Sequence, residues 1–172
     1  QESYSVLDKN LLLVDIGGTN IRYAYSNIGD SDFVSENKAE LDSLNDFDNL
    51  MSELLAEADV KNIVFSVAGP KVNNSIKMTN RNFEIDAHEI RKRFNLESCY
   101  LLNDWESIGY SIRTFAENDF DTFKEGEPFN DTFLVIGPGT GLGASVISGN
   151  NVIATEIGNT NLGLSALKSL LE

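Results

Sequence analysis

Short apolar runs broken by glycine-rich turns set the pattern of this chain. Leu11 to Val14 is uninterruptedly apolar, Ile21 to Tyr25 alternates, and Asp15-Ile16-Gly17-Gly18-Thr19-Asn20 stands between them. That order spells a strand, a turn and a returning strand, with a carboxylate where the first strand ends. Phe133 to Ile136, then Gly137-Pro138-Gly139-Thr140-Gly141-Leu142-Gly143, then Ala144 to Ile147 repeat the device. Between the two turns the pattern predicts strand, helix, strand, hairpin, helix, strand, helix, the alternation of an α/β domain with a mixed sheet and flanking helices. Phe47, Leu50, Met51, Leu54, Leu55 and Ala58 make one apolar helical stripe that packs on the sheet. Ile63 to Val67 is a strand ended by Ala68-Gly69-Pro70, and Asp86 with Glu89 is a capping box opening the helix that carries Ile90 and Phe94. Tyr100 to Leu102 is the next strand, ending in Asn103-Asp104 before a helix from Trp105 to Ile112.

Composition narrows the class. The 172 residues suffice for one good core, or one domain and part of another. A net charge of -14 argues against nucleic acid and anionic membrane as partners, since both would be repelled. One cysteine, Cys99, in an apolar run reads as a reduced core residue, because a lone thiol forms neither an internal disulfide nor a zinc cluster. No apolar stretch approaches the roughly 20 residues that span a bilayer, so the expectation is a cytoplasmic protein. His88, the only histidine, lies among charged residues and reads as solvated surface. Residues 117–131 are acidic, with Phe115, Phe120, Phe123 and Phe129 interspersed, and read as a solvated crossover with phenylalanine anchors. The chain has no initiator Met, and the helix-like stretch Ser165 to Glu172 stops without a capping glycine, which predicts an excerpt of a longer chain.

The glycine turns carry the candidate chemistry. Glycine removes side chains and permits unusual backbone, so N–H groups at such a turn can face an anion, with the Thr19 hydroxyl beside them. A Walker loop needs a Lys-Ser or Lys-Thr pair and a following helix, and a dinucleotide fingerprint needs its turn to open a helix. Neither condition holds. An ordinary hairpin accounts for Gly17-Gly18 equally well. Four glycines in the seven residues from Gly137 to Gly143 exceed what a turn requires and suit close approach of a polyphosphate. Two such hairpins facing one another hold a nucleotide's phosphates from both sides, with Asp15 placed for Mg²⁺ through water. Asn103-Asp104 at a strand's carboxyl end is either a ligand-facing pair or a helix cap.

In their order these motifs resemble the bacterial glucokinase family, whose fold is the actin-like ATPase (ribonuclease H-like) fold of sugar kinases, actin and heat-shock chaperones. Leu13 to Arg22 looks like the family's first phosphate motif and Gly137 to Gly143 like its second. Ala68-Gly69-Pro70, Thr79-Asn80 and Leu102-Asn103-Asp104 look like its sugar-side segments, and Glu156-Ile157-Gly158-Asn159 resembles its Glu-Gly-Gly-His sugar motif.

The resemblance implies ATP-dependent phosphorylation of the 6-hydroxyl of glucose, with Asp104 as the base taking the hydroxyl proton. Asn80, Asn103, Asp104, Glu156 and Asn159 would contact the sugar. Asp15, Gly17, Gly18, Thr19, Asn20, Gly137, Gly139, Thr140 and Gly141 would hold ATP, and Asp15 would hold Mg²⁺ through water. It also implies a small α/β lobe over residues 11–116, then a crossover and the opening of a larger lobe over 117–172, a piece that alone does not turn over. Partners are a small hexose and ATP, and a homodimer is left open. Asn159 stands where the family has His and Ile157 where it has Gly, so sugar preference is less fixed than reaction type. The alternative is a non-catalytic sugar-binding or regulatory protein of the same fold, for which Asn159 is the best argument. Related sugar kinases and repressors with a cysteine-rich zinc motif after Glu156 fit less well, because Thr160 to Glu172 has no cysteine.

Overall fold

In chain order the elements are β1 (Leu11–Ile16), β2 (Asn20–Ser26), β3 (Val34–Glu40), α1 (Leu44–Glu57), β4 (Asn62–Val67), β5 (Lys71–Val72), β6 (Ser75–Lys77) and β7 (Glu84–Asp86). They continue as α2 (Ala87–Arg93), β8 (Ser98–Asn103), α3 (Asp104–Ser111), β9 (Thr132–Pro138), β10 (Leu142–Ser148) and β11 (Asn151–Thr155). The computed structural model describes residues 7–17, 20–40, 43–78, 84–128, 130–138 and 142–155, without the side chains of residues 44 and 45. The chain divides into two compact units, Gln1–Asp104 and Trp105–Glu172.

Alternation decides the first unit's sheet. β1 buries Leu12, Val14 and Ile16 and turns Leu11, Leu13 and Asp15 to the other face, as a period of two requires. β2 returns antiparallel from β1, while β4 runs parallel to β1 and β8 parallel to β4, giving the order β3-β2-β1-β4-β8. The buried row continues through Ile63, Phe65 and Val67 of β4 and Cys99 and Leu101 of β8. Against it lies the expected stripe of α1, with Phe47, Met51 and Leu54 fully covered and Ala58 buried just past the helix end. Phe47 meets Phe65 with ring centroids 6.0 Å apart, a tilted aromatic contact. A smaller sheet, β5-β6-β7, adds Ile76 and Ile85 to the same core.

Helix ends explain how the sheet and helices stay joined. Ser43 caps α1 by accepting from the Asp46 amide at 3.2 Å, and Asp86 caps α2 by accepting from the amides of His88 at 2.8 Å and Glu89 at 3.0 Å. The C-terminal turn of α1 has no capping glycine. Instead the Tyr25 hydroxyl, fully buried on β2, donates to the Leu54 carbonyl at 2.9 Å, and the Leu7 amide donates to the Glu57 carbonyl at 2.9 Å.

The second unit pairs α3 with the meander β11-β10-β9. Trp105, Gly109 and Arg113 recur every four residues and meet one face of it: Trp105 lies on Gly137 and Gly143, Gly109 on Ser145 and Val152, and the Arg113 guanidinium stands 5.6 Å over the Phe133 ring. β7 and β11 were not anticipated, being short or late in the chain. The phenylalanines of the acidic stretch do not all anchor it. Phe123 is 99% exposed, and Phe115 and Phe120 pack on each other at 5.8 Å while staying about half exposed, because a single 3₁₀ turn at Glu117–Asp119 offers no face to bury them. Phe129 lies outside the described residues. His88 is exposed and Cys99 buried, as expected. Among the described residues no helix is long and apolar enough to cross a membrane.

Two predictions follow from the first unit's core. Tyr25→Phe removes a buried hydroxyl that reaches the Leu54 carbonyl at 2.9 Å and the Glu57 carboxylate at 3.0 Å, so urea denaturation should show a loss of about 1–3 kcal/mol. Burial pushes the Cys99 thiol up to about 12 from 9.0, with the Asp86 charge adding to it. The unfolded thiol therefore ionises first, and this group's contribution to stability is present below pH 9.0 and declines as pH rises towards about 12. Iodoacetamide at mildly alkaline pH should accordingly label Cys99 in urea and not in the native protein, as read by mass spectrometry.

Candidate functional site

Three parallel strands end level with one another. Ile16 of β1 stands opposite Val67 of β4, and Val67 opposite Asn103 of β8. The residues that follow, Gly17, Ala68 and Asp104, leave the sheet together at its carboxyl edge, the place where open α/β sheets bind ligands. The Ala68 amide donates to the Ile16 carbonyl at 3.2 Å, which holds the first two exits side by side.

Each exit has its own chemistry. At the first, the Gly17 amide donates to the Asn20 carbonyl at 2.9 Å and closes the β1–β2 hairpin. A Cβ on Gly17 would meet only the Asn20 carbonyl oxygen, at an ordinary 3.6 Å, and Gly17 has no positive φ. Neither room nor conformation within the described residues demands glycine there. Two residues earlier, the Asp15 carboxylate lies on the sheet face opposite the core. Its register partner Arg22 brings Nη1 to 3.4 Å from Asp15 Oδ2, both side chains being about half exposed. This ion pair was not read from the sequence, although the alternation of residues across a tight hairpin places the two opposite each other.

At the second and third exits, Gly69 takes φ +148, which favours glycine. Its carbonyl accepts from Asn103 Nδ2 at 2.8 Å, and Asn103 is 4% exposed. The amide is thus used to tie the end of β8 to the turn after β4. Lys71 of β5 adds a second tie, donating from Nζ to the Leu101 carbonyl at 3.2 Å. Asp104 then opens α3 and is half-buried.

The structure therefore brings Asp15, Gly17, Asn20, Asn103 and Asp104 to one edge of one sheet. Gly137 lies in β9 of the second unit, where Trp105 fills the space its missing side chain leaves. Gly18, Thr19, Asn80, Gly139, Thr140, Gly141, Glu156 and Asn159 lie outside the described residues. Among the described residues no cluster of three or more metal-ligating side chains occurs. The single carboxylate of Asp15 fits a Mg²⁺ that keeps most of its water and takes its remaining ligands from phosphates.

Sheet order and edge define the class, a lobe of the actin-like ATPase fold of sugar kinases. The fold recurs in the crystal structure of a glucokinase from an Antarctic psychrotroph, with a TM-score of 0.68 and 24% identity over 94% of this chain and 55% of that one. It recurs also in a ROK family glucokinase from Streptomyces griseus in complex with glucose and AMPPNP, with a TM-score of 0.61 and 20% identity over 83% of this chain and 46% of that one. The profile of the glucokinase family matches residues 12–168, and the chain belongs to that family. A glucokinase of Nostoc punctiforme is 31% identical over 150 residues, which cover 82% of this chain and 44% of the relative, so the chain spans less than half of that relative's length.

The Asn103–Gly69 bond is directly testable. Asn103→Ala should lower stability by about 1–3 kcal/mol in urea denaturation, and Asn103→Asp by more, because a buried carboxylate would face a carbonyl oxygen. Equal stability of Asn103→Asp and the parent would exclude this bond as the tie between the two strands.

Proposed function

We propose that this chain is the part of a cytoplasmic ATP-dependent glucokinase that supplies the catalytic carboxylate and the first phosphate turn. The observation that carries the reading is the level ending of β1, β4 and β8, which puts the Asp15–Gly17 turn and Asn103-Asp104 on one edge of a sheet in a chain of the glucokinase family.

Phosphoryl transfer demands positioning and charge neutralisation rather than covalent help from the protein. Asp104 accepts the proton of the sugar's 6-hydroxyl as its oxygen bonds to the γ-phosphorus. The bond from that phosphorus to the β–γ bridging oxygen breaks, and ADP leaves. Asn103, Asn80, Glu156 and Asn159 hydrogen-bond the ring hydroxyls, so a sugar of the wrong stereochemistry leaves polar groups unpaired. Gly17 to Asn20 and Gly137 to Gly141 approach the phosphates with backbone amides. Among the described residues neither room nor backbone conformation demands glycine at Gly17, which supports this role. Mg²⁺, held through water by Asp15, would supply neutralisation of the phosphate charge.

The test is glucose-dependent ADP formation by the complete reading frame, carried to its own stop codon, beside Asp104→Asn. Removing the base should lower turnover by about 10² to 10⁴ while folding and ATP binding persist. No turnover with any common hexose by a folded, ATP-binding parent would overturn the kinase reading in favour of a sugar sensor, with Asn159 as the residue to explain.

A further inference from the structure

Trp105, the chain's single tryptophan, lies across a pair of glycines. Gly137 and Gly143 face each other in the β9–β10 ladder, next to its end. A Cβ on Gly137 would overlap the six-membered ring of Trp105, and one on Gly143 would overlap the pyrrole ring. Neither glycine has a positive φ, so room for the indole, not backbone conformation, excludes a side chain at both. One helical turn later the arrangement is reversed. At Gly109 the helix is bare, and a Cβ there would overlap Val152 and the Ser145 hydroxyl of the sheet. The helix α3 thus has two interlocked points four residues apart on one face, which fixes both its rotation and its height on the strands.

Asp104 is the first residue of this helix and Trp105 the second. We propose that Trp105 is a positioning residue for phosphoryl transfer. Seated on the Gly137–Gly143 pair, it fixes the first turn of α3, the helix that Asp104 opens. The proposal rests on the reading of Asp104 as the base. Its physical basis is that a proton acceptor displaced by about 1 Å can forfeit on the order of 10²-fold in rate. It also gives Gly137 and Gly143 a purpose of their own, since both make room for the indole.

The experiment is a double-mutant cycle in the complete reading frame, with kcat and KM for glucose measured for Trp105→Ala, Gly143→Ala and the pair. Trp105→Ala should lower kcat by about 10- to 100-fold and change KM for glucose by less than about threefold, with partial recovery in Trp105→Phe. Gly143→Ala should be comparably damaging beside Trp105 and nearly neutral in the Trp105→Ala background, where its methyl enters vacated space. Should Trp105→Ala fail to fold, the same cycle on Trp105→Phe gives the coupling. Two results overturn the proposal while leaving the kinase intact: wild-type kcat in Trp105→Ala, or Gly143→Ala equally damaging in both backgrounds, which would assign Gly143 to the ligand. A parent inactive with every hexose removes the kinase reading itself, and this proposal with it.

Discussion

Register between the parallel strands is the constraint on which everything at the candidate site depends. A strand shifted by one residue exchanges its buried and exposed faces. Leu12, Val14 and Ile16 must face α1, and so must Ile63, Phe65 and Val67. The parallel pairing is therefore locked with Ile16, Val67 and Asn103 in one row. Hydrophobic burial thereby sets the height at which Gly17, Ala68 and Asp104 leave the sheet. The turn after β4 is fastened in addition by the Ala68 amide, which donates to the Ile16 carbonyl, and by Asn103, which donates to the Gly69 carbonyl.

Glycine serves three separate ends here, and telling them apart matters more than counting them. Gly69 is held at φ +148 and answers to conformation. Gly137 and Gly143 have no such φ and answer to the Trp105 ring above them. Gly17 meets neither demand among the described residues, as does Gly126 of the exposed acidic stretch, and of these two only Gly17 stands at the carboxyl edge of the sheet. A glycine-rich stretch read from sequence alone merges all three causes.

Much of the fold was legible because it rests on local periodicity. The alternation of β1 and β2, the stripe from Phe47 to Leu54 and the Asp86 cap each depend on residues within a few positions of one another. The family resemblance drew on the same local motifs, and the family match over residues 12–168 upholds it. What escaped notice was non-local. Tyr25 caps a helix 29 residues away, and the partnership of Trp105 with Gly137 and Gly143 joins a helix to a later hairpin. No propensity or period announces such pairings. The exposure of Phe123 was missed for the opposite reason, since aromatic character was read as burial in a stretch that forms no face to receive it.

The Asp15–Arg22 pair shows how a carboxylate proposed to hold Mg²⁺ can keep a cationic neighbour. With Nη1 at 3.4 Å and both side chains about half in solvent, the pair lies in the range worth about 0–1 kcal/mol. An interaction that weak orients the carboxylate, yet it is given up at little cost when a stronger charge arrives. A dry, bidentate pair at the same place would cost several kcal/mol to open and would hold the carboxylate against any incoming ligand. Because β1 and β2 turn Asp15 and Arg22 to the face away from the core, water reaches both, and the hairpin keeps them together without locking them. The face that the core rejects is the one on which a charged ligand can be exchanged.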